Sequence, residues 1–159
     1  MDVLSIRRAM TSEDKQEIRD VIGRYLSNDE VRQMKEYVQH GSITTYRHVV
    51  NVVKLAYIID EKLGKKSDRE VLLTSALLHD FYGYDWHEKP LSDLHGYRHP
   101  HRAAQRAKEV FDVDDKVQSA IETHMWPFTL TKIPCSREAW IVCLADKMAS
   151  LSETLWMRD

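Results

Sequence analysis

His48 shares a helical face with Val52, Leu55 and Ile59, and His79 follows Leu72, Ser75 and Ala76 at spacings of seven, four and three. Both imidazoles should point inward. Asp146 has Val142 four residues before it and Ala149 and Ser150 after it, so its carboxylate also faces packed material. An unpaired buried carboxylate is costly enough that it would normally protonate, a difficulty that a divalent ion removes. Imidazole with carboxylate suits zinc, iron, manganese or nickel, whereas calcium takes oxygen ligands alone. Taken singly, His48 could be a hydrogen-bonded core histidine, Asp80 a cap for the following loop and Asp146 a salt-bridge partner. The set points to metal chemistry, because LLHDFYGYDW puts an adjacent His-Asp pair at a helix end, with an inward histidine upstream and an inward aspartate downstream.

The elements that must position these groups read as helices throughout. Only 5 glycines and 4 prolines occur, and most segments show apolar residues at helical spacing between recognisable caps. Thr11 with Asp14 opens a first helix. Ser27 with Glu30 forms a capping box for a second, ending near Gly41. A long third helix starts at Thr44 or Thr45, carries Val49, Val52, Val53, Ala56 and Ile59 inward and stops at Gly64. Ser67 and Glu70 form the box for a fourth, which runs to His79 and Asp80. From Phe81 to Arg98 the periodicity lapses, which suggests an ordered loop beside a site. Pro100 suits the first position of a helix capped by His99, and Asp112 and Asp115 start another that ends at His124. After a loop from Met125 to Cys135, Ser136 caps a last helix through Trp140, Leu144, Met148 and Leu155; a strand over 140–144 is the weaker alternative. Residues 1–43 read as an N-terminal helical flank and 44–159 as the metal-binding core, together one structural domain.

At 159 residues the chain can bury a real core without disulfides, so a metal here would serve chemistry. Cys135 and Cys143 have no CxxC spacing and read as free thiols. A net charge of -2 argues against broad nucleic-acid binding, and a mean hydropathy of -0.50 leaves no room for a bilayer-spanning segment. MDVLSIRRAM lacks the apolar run of a secretory signal, so a cytoplasmic protein is expected.

The order His48, His79-Asp80 and Asp146, within the words TYRHVVNV, ALLHD and CLADK, resembles the HD superfamily of metal-dependent phosphohydrolases over about Thr44 to Leu155. The resemblance implies an all-α, single-domain helical bundle in which His48, His79, Asp80 and Asp146 bind one metal. HPHRAA is similar to a segment of the binuclear class and THMWP supplies another histidine, so His99 and His124 become candidate ligands of a second metal bridged by Asp80. Their plainer roles are a cap before Pro100 and a helix-terminal histidine near the dipole. His95 and His101 rival His99, whereas His87 and His40 read as surface or outer residues. The Gly-Tyr-Pro motif of the cyclic-dinucleotide class is missing, which argues against cyclic di-GMP as substrate. Gly83 stands where many members have a lysine; Lys147, Arg98, Arg102 and Lys132 are candidate replacements.

The expected function is hydrolysis of a phosphomonoester or nucleotide by metal-activated hydroxide, with Asp80 catalytic and one or two divalent ions, iron, manganese, zinc, nickel or magnesium, as cofactor. Phe81, Tyr82, Tyr84, Trp86, Tyr97 and Trp126 could stack on a base or simply pack against the helices. Lys147, Arg98, Tyr84 and Trp126 are the candidate substrate contacts. The alternatives are a di-iron oxygenase of the same fold and a non-catalytic metal- or nucleotide-binding sensor. Oligomeric state, monomer or homo-oligomer, stays open at this stage, as does the metal's identity.

Overall fold

The computed structural model describes residues 10–85 and 95–156, the side chains of His40, His95 and Trp156 excepted. Trp86 and His87, and the side chains of His40 and His95, therefore lie outside the described residues, as does most of the N-terminal decapeptide. Seven helices and one hairpin follow in order: α1 Ser12–Leu26, α2 Asp29–Gln33, β1 Val38–His40, β2 Ile43–Thr44, α3 Thr45–Lys62, α4 Arg69–Leu78, α5 His95–Phe111, α6 Asp115–Thr123 and α7 Arg137–Trp156. The fold is all-α. No helix among the described residues is long and apolar enough to cross a membrane.

α4 is the axis of the bundle. Every residue from Val71 to Leu78 is buried, as expected of a helix apolar all round, and α1, α3, α5, α6 and α7 all pack on it. Val49, Val52, Val53, Ala56 and Ile59 of α3 are buried as their spacing requires, and α3 packs against both α4 and α7. Thr11 and Asp14 form the capping box of α1. Thr44 caps α3 by accepting from the Arg47 amide at 3.2 Å, and the chain leaves that helix through Gly64 at φ +89°. Ser136 accepts from the Ala139 amide at 3.1 Å, so 140–144 is helix and not strand. Trp140, Leu144, Leu151 and Leu155 stay exposed on α7.

Four local expectations are corrected. The cap of α2 is Asn28, whose side-chain oxygen accepts from the Glu30 and Val31 amides; the Ser27 hydroxyl instead donates to the Arg24 carbonyl at 2.8 Å. That helix ends at Gln33, and an antiparallel hairpin with Gly41 at φ +54° replaces its second half. Asp68, not Ser67, caps α4, because the Ser67 hydroxyl is spent on the buried Asp60 carboxylate at 2.7 Å. α5 begins at His95, so Tyr97 and Arg98 are helical, Pro100 lies inside the helix and His99 is no cap. A proline there forgoes the bond that an ordinary residue would give to the Gly96 carbonyl, and its ring crowds that carbonyl.

Candidate metal centre

The ends and faces of α3, α4, α5, α6 and α7 converge on one buried cluster. His48 comes from the first turns of α3, and His79 is the residue at which α4 ends, with Asp80 beside it. His99 lies on α5, His124 caps the end of α6, and Asp146 projects from the middle of α7. All six are buried.

Two groupings are present. His48 Nε2 is 3.1 Å and His79 Nε2 3.6 Å from Asp146 Oδ1, and the same two nitrogens lie 3.8 and 3.5 Å from Asp80 Oδ2. The other Asp80 oxygen, Oδ1, faces His99 Nε2 at 3.3 Å and His124 Nε2 at 3.7 Å, and those two nitrogens are 3.1 Å apart. His79 Nε2 and Asp80 Oδ1 are buried without a hydrogen-bond partner. Such orphaned atoms are rare in a folded interior. Among the described residues, His48, His79 and Asp146 hold ligand atoms within 4.8 Å of one another, as do His79, Asp80 and His124. The donor set of imidazole and carboxylate fits a transition-metal ion or zinc.

The outer nitrogens are tied down so that the inner ones stay available. His79 Nδ1 donates to the Ala76 carbonyl at 2.9 Å and His124 Nδ1 to the Ile121 carbonyl at 2.7 Å. His48 Nδ1 meets Glu153 Oε2 at 2.9 Å; a carboxylate there can only accept, so Nδ1 carries the proton. Asn51 in turn donates to Glu153 Oε1 at 2.8 Å. This carboxylate-histidine arrangement is the usual support of a metal-binding imidazole.

Charge is compressed here. Burial pushes the His48 imidazolium towards neutrality, but the hydrogen bonds it donates to Asp146 and Glu153 overcome it and carry its pKa up to about 10. Burial and the neighbouring imidazoles push His124 down to about 3. Asp80 and Asp146 should be raised by burial, yet the surrounding histidines hold both well below the usual carboxylate range.

Other candidates fall elsewhere. His101 is exposed and pairs with Glu122 at 2.9 Å, outside the cluster. Lys147 donates to the carbonyls of His124 at 2.8 Å and Cys143 at 3.5 Å, bracing the end of α6 against α7. Lys132 pairs with Glu122 at 3.2 Å. Trp126 packs edge-on against Trp140 with ring centroids 5.0 Å apart, and Tyr97 stacks on Phe128. Phe81 is core. Tyr84 accepts from Arg102 at 3.0 Å and lies against Tyr82, whose ring is 5.8 Å from that of His99. Arg98 is exposed on α5, one turn before Arg102. Gly83 adopts φ +78°, and a Cβ there would sit 2.8 Å from Arg106 Nε, so a lysine would need Arg106 displaced.

Glu153, Asn51 and Gln39 were missed by the sequence reading. Glu153 follows Asp146 by seven residues, two helical turns, and Asn51 follows His48 by three, so shared faces could have revealed both. Gln39, whose amide donates to Asp80 Oδ2 at 2.7 Å, lies in the hairpin and carries no periodic signal.

A family model described as HD domain matches residues 45–151. The chain belongs to the HD domain family. That family consists in general of metal-dependent phosphohydrolases, and the buried histidine and aspartate groups are consistent with divalent metal binding. No curated protein and no solved structure matches the chain.

Proposed function

We propose that this HD domain protein hydrolyses a phosphomonoester or nucleotide at a two-ion centre. His48, His79, Asp80 and Asp146 would hold one divalent ion, and Asp80, His99 and His124 the second. The observation that carries this reading is the Asp80 carboxylate, whose two oxygens face two different pairs of histidines, one oxygen having no hydrogen bond. Bound divalent ions would lower the pKa of water towards neutrality and offset charge on the phosphoryl oxygens.

The chain's own groups set the rest. Glu153 and the Ala76 and Ile121 carbonyls fix the imidazole tautomers. Glu153 is also a third carboxylate, which reduces the net positive charge that two divalent ions would leave for an incoming phosphate. With Lys147 and Lys132 engaged, the arginines of α5 are the cations best placed to meet the substrate; Arg102, held by Tyr84, adjoins the rings that line His99.

The test is phosphate release from nucleotides and sugar phosphates by chelator-stripped protein resupplied with single metals, beside Asp80→Ala. Metal-dependent release that Asp80→Ala loses, with its fold retained, is the expected result. Oxygen consumption by the iron form in place of phosphate release would make it an oxygenase. Tight metal binding with no turnover on any substrate class would make it a sensor.

A further inference from the structure

Asp80 can serve two sites only if its carboxylate plane is held so that one oxygen faces each, and the residue holding it comes from outside the segment matched by the family. Gln39 sits on β1, six residues before that segment begins. Its side-chain nitrogen donates to Asp80 Oδ2 at 2.7 Å. Its oxygen accepts from the Tyr82 hydroxyl at 3.0 Å and from the Thr45 hydroxyl at 3.1 Å. The amide cannot be turned over without loss, because a carboxylate only accepts and the flipped oxygen would face it. Tyr82 and Thr45 are themselves buried, and the Thr45 amide donates to the Tyr37 carbonyl at 2.8 Å, strapping the hairpin to the start of α3. The hairpin that replaces the second half of the expected helix thus delivers one amide to the metal centre.

We propose that Gln39 is a positioning residue that locks the Asp80 carboxylate, leaving Oδ1 for His99 and His124 while Oδ2 stays toward His48 and His79. The proposal rests on the metal-centre reading above. No other side chain of similar length supplies the same contact. Glutamate would set carboxylate against carboxylate, asparagine is one methylene short, and methionine fills the space without a donor. Partners in this outer layer commonly change metal affinity ten- to a hundred-fold when removed.

The experiment is a cobalt(II) titration of the chelator-stripped full chain, following the visible absorption of the bound ion, for wild type, Gln39→Met, Gln39→Glu and Tyr82→Phe. Melting of the metal-free proteins checks that each is folded. Gln39→Met should bind cobalt about ten- to a hundred-fold more weakly with an altered absorption band. Tyr82→Phe, which removes one of the two donors to the amide oxygen and leaves Thr45, should shift the band the same way by less, and Gln39→Glu should weaken binding. A folded Gln39→Met that binds cobalt as tightly as wild type, with the same band, would overturn the positioning role while leaving the metal centre intact. Failure of wild type itself to bind cobalt would overturn both readings.

Discussion

His48 cannot bind an ion through Nε2 while that nitrogen carries a proton, and Asp146 and Asp80 on that side of the ring, with Glu153 on the other, hold its second proton more firmly than water would. Burial opposes the charged ring, but Asp146 and Glu153 prevail and bring its pKa to about 10. The sign follows directly. Below that value the metal-free site keeps the proton, and ion binding must expel it. At pH 8 an ordinary histidine, with a pKa near 6.5, has almost no proton left to lose. Zinc titrated into weakly buffered, metal-free protein at pH 8 should therefore release about one proton or more per chain, and affinity should fall as pH drops. Release of no protons at pH 8 would refute displacement of a His48 proton by the ion. Glu153→Gln should reduce the release, since it removes one of the carboxylate charges that retain the proton.

α5 brings His99 to Asp80 by starting at His95, and this changes what a substitution there can do. A helix cap lost to alanine costs on the order of 1 kcal/mol and nothing else. His99 is five positions into the helix order and buried against His124. His99→Ala should lower metal content from about two ions per chain to about one, with turnover strongly reduced, because the remaining ion must then both generate hydroxide and hold the phosphoryl oxygen. Elemental analysis that finds no change would return His99 to a packing role. The inward faces that carry His48 on α3 and Asp146 on α7 were legible because apolar periodicity fixes which side of a helix is buried, and the cap at Thr44 with the stop at Gly64 set the limits of α3. Caps were less legible. Ser27, Asn28, Ser67 and Asp68 are all competent, and Asn28 and Asp68 became the caps because each serine hydroxyl found another acceptor, the Arg24 carbonyl or the Asp60 carboxylate. The hairpin and Gln39 were not legible at all, since two-residue pairings across a turn leave no repeat to detect.

At the scale of the molecule, two buried charge clusters stand at different places with different purposes. One joins helix ends. Asp60, fully buried on α3, takes Arg69 of α4 at 3.1 Å, Arg137 of α7 at 3.3 Å and the Ser67 hydroxyl. Its charge is balanced by the two guanidinium groups, although its Oδ2 makes no hydrogen bond. Asp60→Ala would remove the buried acceptor of Ser67 and the carboxylate shared by Arg69 and Arg137, while Arg69 keeps Glu17 and Glu61, a loss of about 1–3 kcal/mol, read as a melting point lower by roughly 3–10 °C with metal content of the folded protein unchanged. A shift within a degree or two would show the cluster to be dispensable.

The other cluster is the candidate metal centre, and ion binding there predicts how the whole fold responds to chelation. The orphaned His79 Nε2 and Asp80 Oδ1 make the metal-free centre a locally costly arrangement. The core around α4 is independent of it, with Leu72, Leu73, Leu77 and Leu78 fully buried. Chelation should therefore lower stability without unfolding the chain at 25 °C, unlike small domains that depend on a structural zinc. An ion that binds only the folded state, supplied at a hundred times its dissociation constant, adds about 2.7 kcal/mol. For a chain of this length that corresponds to a rise of roughly 5–10 °C in melting temperature over the chelated protein. Asp80→Ala should lose most of this rise, because it removes the carboxylate shared by both histidine groups. Asp60→Ala should keep it, starting from a lower baseline. Equal melting temperatures with and without metal in the wild type would show that the centre does not bind ions in the folded state, and unfolding at 25 °C on chelation would show the ion to be structural.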